Sequence, residues 1–274
     1  MEIGVGLPTT TPGLDGPGVI GWARRAEAGP FASLGVLDRV VYDSFDPMAS
    51  LAAAAAATER IGLVTMVVVG PLRATALLAK QAASVGALSG GRLTLGLSVG
   101  ARVEDFMATG SDHRDRGLRF TEQLLDLRTA WEERTLGPPA RPQLLVGGLT
   151  GAAFTRAARY ADGYVHGGGP PRAFARAASM AFDAWSDLGR SGRPRLFGQG
   201  YFALGGDGAG NAYLRHYYAF TGPFAERIVA ANLTTPHAVR DFVRGYEEAG
   251  CDHLVLLPTV SDPAQLDRLA DVLS

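Results

Sequence analysis

The chain has 274 residues, 47% of them hydrophobic and 19% charged, a balance that supplies a sizeable core and argues against disorder. Its 26 basic and 27 acidic residues are mixed along the sequence and leave a formal net charge of −1, so no basic stripe is offered to a nucleic-acid backbone. The single cysteine, Cys251, rules out an intrachain disulfide, and residues 1–7 lack the pattern of a signal peptide, so a reducing cytoplasm is the expected location.

Strand-length apolar runs and helix-length amphipathic segments alternate from one end of the sequence to the other. The first strand is expected at 3–7, stopped by Pro8, and the second at 33–37, where Gly35 weakens the pattern. An Asp46-Pro47 start opens a helix over 47–59, because aspartate accepts from free backbone N–H groups and proline presets φ at the first helical position. Its alanine run, 52–57, gives way to Thr58, Glu59 and Arg60 and is too short to span a bilayer, so no membrane partner is expected. A third strand over 61–69, a helix over 74–88 and a fourth strand over 92–99 follow, both strands continuous enough for burial on two faces. Then come a helix over 116–133, a fifth strand over 143–147, a helix over 150–161, a sixth strand over 163–167 and a helix over 171–188. A seventh strand over 196–204, a helix over 236–249 opened by Thr235-Pro236, an eighth strand over 253–257 and a last start at Asp262-Pro263 complete the order. Eight repeats of strand and helix predict a single α/β domain over 1–274, a (β/α)8 TIM barrel; a doubly wound open sheet is the alternative.

In a barrel the chemistry sits on loops that follow strands. After the fifth strand stand Gly147 and Gly148, and after the sixth Gly167 and Gly168. Each pair places bare backbone at a helix N-terminus, which suits a phosphate and equally suits a tight turn. After the second strand, Asp38 could orient a ring nitrogen or relay a proton, with Arg39 holding its charge, and Tyr42 and Phe45 are aromatic candidates for a substrate pocket; a plain loop ion pair is the competing reading. After the fourth strand, Ser98, Val99 and Gly100 lead into a polar stretch around His113 that reads as a mobile lid or as a solvated surface. His166 ends the sixth strand and points at the ligand face, whereas His253 and Cys251 precede the eighth strand and belong to the stability face. Tyr217 and Tyr218 lie in an aromatic segment, 213–224, that either walls a pocket or packs a helix. The histidines show no metal spacing, so no metal is expected, and no Gly-x-Ser-x-Gly elbow is present.

Three segments together resemble the bacterial luciferase-like superfamily of flavin and deazaflavin oxidoreductases: residues 33–39 leading into Asp46-Pro47, residues 58–96, and residues 145–148 with 158–163. The resemblance implies a cofactor, FMN or coenzyme F420, bound at the carboxyl end of the barrel, with a GC-rich composition of arginine, alanine and glycine leaning towards coenzyme F420. It places Asp38 near the ring and Arg39 where several deazaflavin enzymes carry histidine. It also places Met66 and Val67 at a frequent nonprolyl cis peptide, Ser98, Val99 and Gly100 along the ring, and Gly147, Gly148 and Gly168 at the phosphate. Many members carry a long insertion before the fifth strand, whereas only residues 134–141 stand there in this chain, so a reduced cover is expected. The implied activity is an oxidoreductase or monooxygenase acting on an organic small molecule, by hydride transfer with coenzyme F420 or oxygen activation with FMN. A homodimer through residues 47–89 and a separate flavin or F420 reductase are the implied partners. A non-catalytic flavin-binding barrel, and a flavin-free isomerase or lyase acting on a phosphorylated metabolite, are the alternatives.

Overall fold

Alternating runs too short to bury themselves become parallel strands that close on one another in the computed structural model, which describes residues 1–205 and 208–274. The strands are β1 (Glu2–Gly6), β2 (Ser33–Val36), β3 (Gly62–Thr65), β4 (Val68–Val69), β5 (Leu93–Ser98), β6 (Gln143–Gly147), β7 (Gly163–Val165), β8 (Arg195–Phe202) and β9 (His253–Pro258). They run in the order β3-β2-β1-β9-β8-β7-β6-β5-β4, and the pairing of β3 with β5 closes the ring. Every pair is parallel. The chain is therefore a (β/α)8 TIM barrel, and closure excludes the open doubly wound sheet. The third expected strand, 61–69, is divided: β3 pairs with the first half of β5, β4 pairs with the second, and the Met66-Val67 peptide between them is cis, at the position the resemblance implied.

The helices are α1 (Gly16–Ala28), α2 (Pro47–Ala57), α3 (Thr75–Leu88), α4 (Val103–Ala108), α5 (Arg116–Glu132), α6 (Gly151–Tyr160), α7 (Pro171–Asp187), α8 (Ala209–Tyr217), α9 (Ala225–Ala230), α10 (Pro236–Glu248) and α11 (Ala264–Leu273). The expected caps form: Asp46 Oδ1 accepts from Ala49 N at 2.9 Å, and Thr235 Oγ1 accepts from Ala238 N at 3.2 Å. Asp262 Oδ1 accepts from Ala264 N at 3.0 Å and starts α11 one residue later than its proline suggests. No helix among the described residues is long and apolar enough to cross a membrane.

Side chains alternate across each strand, so two cores form. The outer one packs Leu34, Val36, Leu95, Leu97, Val146 and Tyr164 against the helices. The inner one fills the lumen with Val64, Met66, Leu145, Val165, Phe197, Val255 and Leu257. Gly35, which weakens the second strand as a pattern, is needed within it: a Cβ there would lie 2.6 Å from Val255 Cγ1.

The amino ends of the strands are sealed by a polar set on the stability face. His253 Nδ1 donates to Glu2 Oε2 at 3.0 Å, which leaves Nε2 to accept from the Ser33 hydroxyl at 2.7 Å, and the ring stacks flat on Phe197 at 4.7 Å. Cys251 beside it is buried, and burial pushes its thiol up to about 12, so it is inert at neutral pH. Burial likewise holds the pKa of His253, and of His166, below the ordinary histidine value. A histidine kept neutral by folding binds a proton more readily in the unfolded chain, so stability present above about pH 6.5 is lost as the pH falls. Thermal unfolding should show a midpoint that drops from pH 7 to pH 5, and His253→Gln, which cannot charge, should flatten that drop while lowering the midpoint at pH 7. Equal slopes for the two proteins would show that His253 is not part of the acid sensitivity.

Candidate active site

Asp38 follows β2 at the mouth and is 5% exposed. Its Oδ2 accepts from Val69 N at 2.8 Å and Arg73 Nη1 at 2.6 Å, and its Oδ1 accepts from Arg73 Nη2 at 2.9 Å. The carboxylate is thus committed inside the protein to a two-pronged arginine pair. Burial opposes the Arg73 charge, and the Asp38 carboxylate outweighs it, so the guanidinium pKa is raised.

Arg39 does not hold the Asp38 charge. Neighbouring residues of an extended segment point to opposite sides, so Arg39 leaves its neighbour and donates to Glu104 Oε1 at 2.6 Å and to the Tyr217 carbonyl at 2.7 Å. Its guanidinium lies 4.4 Å above the Tyr42 ring. Arg73, just past the 3-10 turn (Gly70–Leu72) that follows β4, takes the place expected for Arg39. The rule that strand ends carry the chemistry points to Arg73 as directly as to Arg39; only the pairing is invisible in sequence.

The segment after β5, read as a mobile lid, is fastened. Arg102 Nε donates to Asp105 Oδ2 at 2.8 Å and Arg102 Nη2 to the Asp38 carbonyl at 2.7 Å, while buried Asp105 accepts from Val41 N at 2.9 Å. His113 packs edge-on against Phe106 of α4 at 5.0 Å, away from the mouth's tyrosines. Phe45 is exposed and lines a small cleft with Thr9 and Leu14, so it too stands apart from them.

Four tyrosines close the lumen from above. Tyr213 and Tyr217 of α8 enter it beside Tyr201 of β8, with Tyr218 packed against them. Tyr213 shares a hydrogen bond with Thr10 Oγ1 at 2.6 Å, Tyr218 with Tyr201 at 2.5 Å, and Tyr42 with His216 Nδ1 at 2.9 Å. The segment 213–224 therefore both packs and walls, since Phe220 and Phe224 stay exposed while Tyr213 and Tyr217 are buried. Burial raises the phenol pKa of Tyr201, Tyr213, Tyr217 and Tyr218, so each keeps its proton at neutral pH.

The other half of the mouth is a glycine-lined rim. Val67, Ser98 and Gly100 are half-buried there, whereas Val99, expected along the ring, shares the parity of Leu95 and Leu97 and packs on the helix-side core. Gly100 is required: its φ is +74° and a Cβ would lie 2.4 Å from Val69 Cγ1. Gly147 is buried in β6, Gly148 follows it, and Gly167 and Gly168 follow β7. A Cβ on Gly167 would meet nothing within 4 Å, so this loop faces open space. Below it, Gln199 Nε2 donates to the Gly167 carbonyl at 3.1 Å, while buried Gln199 Oε1 has no partner. Nothing in the sequence pattern marks Gln199, since only the lumen position gives it meaning. An apolar floor at Val67, an unanswered acceptor at Gln199 and bare backbone at Gly148 and Gly167 suit a planar ring with polar edges and an anionic tail.

His166 lies behind this rim, its buried Nε2 unpartnered and 3.9 Å from the place of a Cβ on Gly169. Tyr164 faces the helices and Val165 the lumen, so His166 turns back towards the helices, where its ring meets Phe174 edge-on at 5.8 Å and Tyr164 at 6.4 Å. Strand parity, not position at the strand end, decides its direction.

The model of the luciferase-like monooxygenase family matches residues 1–248. A Mycobacterium tuberculosis protein, Rv0940c, is 33% identical over 187 residues, which cover 54% of this chain and 65% of that protein, so the chain spans just under two thirds of that relative's length. Among solved structures, an F420-dependent secondary alcohol dehydrogenase in complex with an F420-acetone adduct superposes with a TM-score of 0.84 at 17% identity, covering 99% of this chain and 97% of that one. The monooxygenase RslO1 from Streptomyces bottropensis gives 0.78 at 21% identity over 100% and 98% of the two chains. The oxygenating constituent of 3,6-diketocamphane monooxygenase from Pseudomonas putida, in complex with FMN, gives 0.75 at 17% identity over 100% and 97%.

The Asp38 pair sets a stability prediction. Arg73→Leu strands a buried carboxylate and should cost about 3–5 kcal/mol in urea unfolding, and Asp38→Asn in the same chain should recover part of that loss. A cost below about 1 kcal/mol for Arg73→Leu would show that water reaches the pair and that it carries little.

Proposed function

From the premise that this chain belongs to the luciferase-like monooxygenase family, we propose that it is a two-electron oxidoreductase that holds FMN or coenzyme F420 on the glycine-lined half of the mouth and acts on an organic small molecule. The observation that carries the reading is the open space at Gly167 above the unpartnered Gln199 Oε1, beside the half-buried Val67 and Ser98. In this reading Val67 would support the ring, Gln199 would accept from one of its donors, and Gly148, Gly167 and Gly168 would let the backbone approach the phosphate. The bound cofactor supplies electron-pair transfer, by hydride from a deazaflavin or by oxygen activation with a flavin.

The chain's own residues then bind, orient and exclude water. Asp38 is tied on both oxygens, so it is not a free acid or base at the mouth, and His166 is packed between Tyr164 and Phe174 behind the glycine loop. Asp38 acts through position: with Arg73 and Arg102 it fixes the β2, β4 and β5 ends around the floor. The tyrosines of α8 are a dry wall whose phenols keep their protons.

Side-by-side fluorescence titration with FMN and coenzyme F420 tests the reading and decides between the cofactors. Gly167→Val should weaken binding of the true cofactor by about tenfold or more with an unchanged melting temperature, because the new side chain enters only the cradle. Failure of both cofactors to bind the unaltered protein would sink the redox reading and favour a flavin-free barrel.

A further inference from the structure

A second concavity lies across the tyrosine wall from the glycine rim. It is a cleft of about 720 Å³ at the carboxyl ends of β1 and β9, bounded by α8, and its size falls in the range of small-molecule sites. The proposed cofactor residues are absent from its lining. One side is aromatic: Tyr42, Tyr213 and His216, with the Tyr42 and His216 rings 5.5 Å apart. The other side is polar, formed by Thr259, Ser261, Asp262, Gln265 and Arg268. Arg268 Nη1 donates to the Leu204 carbonyl at 2.9 Å and stands 3.7 Å from Asp262, which leaves Nε and Nη2 without a hydrogen bond among the described residues.

We infer that this cleft seats the body of the organic substrate, and that the substrate is a planar, largely aromatic carbon frame bearing an acidic group received by Arg268. The inference rests on the redox reading for the word substrate. The binding chemistry stands apart from it.

The aromatic side is built to stay in place. Tyr213 is anchored through Thr10, and Tyr42 through His216. Rings already ordered by hydrogen bonds lose little freedom when a flat ligand lies on them, so an aromatic frame gains contact at small entropic cost. The polar side adds direction. A guanidinium with two nitrogens unbonded among the described residues, and its third held near Asp262 and the Leu204 carbonyl, presents a fork that a carboxylate fits and a neutral ring does not. Tyr213 belongs both to the cleft and to the lumen cluster, so a ligand in the cleft abuts the wall that bounds the ring half.

The probe is 2-naphthoate, with 2-naphthol as its uncharged counterpart, followed by fluorescence on the full chain without cofactor. One naphthoate should bind per chain. Ala212→Trp, which fills the cleft from the exposed side of α8, should weaken both probes by about tenfold or more; Val260→Phe does the same from the opposite wall should the first variant unfold. Arg268→Gln should weaken naphthoate by about tenfold and leave naphthol unchanged, because one charge-assisted contact is lost. Neither variant should change cofactor affinity, and saturating naphthoate should not displace the cofactor. Naphthoate that ignores both filling variants, or that the cofactor displaces, overturns the inference and leaves the redox reading standing. Naphthoate that binds as described to a chain taking neither FMN nor coenzyme F420 upholds the cleft and overturns the redox reading.

Discussion

A carboxylate out of water must be paired, and the way Asp38 meets that demand organises the mouth of the barrel. Its two oxygens draw in Arg73 and the Val69 N–H, which ties the end of β2 to the end of the broken strand β3 and β4. Its backbone carbonyl draws in Arg102, which holds Asp105, which in turn holds the N–H of Val41. Three loops that would otherwise move independently are thereby fixed to one charge. Each arginine in the set is partly desolvated and each has its partner, so the network rigidifies the site without leaving an unanswered charge.

The barrel itself was legible because its physics is local. Parallel strands buried on two faces read as short apolar runs, and helix starts read as cap residues before proline; both patterns lie within a few neighbouring positions. The Met66-Val67 position came from resemblance and is where the strand divides. What sequence did not carry were facts of parity and of distance. Whether His166 faces the ligand or the helices turns on one step of alternation, and a strand end defined two residues long, at 167 instead of Val165, conceals that step. The Asp38 and Arg73 partners stand 35 positions apart, on loops after two neighbouring strands, with the helix α2 between them in the chain. Arg39 was the natural candidate because it is next in the chain, and being next in an extended segment is what turns it away.

The glycines behave in two ways that composition alone cannot separate. Gly35 makes room for a neighbour, since a side chain there would collide with Val255 in the lumen. Gly167 makes room for nothing in the protein, since a side chain there would meet open space. The first kind is a packing requirement. The second has no packing reason, and together with the unpartnered Gln199 Oε1 beneath it, it directs attention to a ligand.

The segment after β8 covers the mouth. Helix α8 is held from three directions: by Thr10 after β1, by Arg39 and Tyr42 after β2, and by Tyr201 within β8. A helix held by one contact would fray away from a wet mouth; a helix whose tyrosines are buried in the lumen and bonded to three strand ends has to break several contacts together to leave. The same helix divides the mouth, with the glycine rim on one side and the arginine-bearing cleft on the other. With a ring on the rim and a molecule in the cleft, as proposed, the two would meet only across the edge of the tyrosine wall, so the placement of Tyr213 and Tyr217, more than any titrating group at the mouth, would govern what can react.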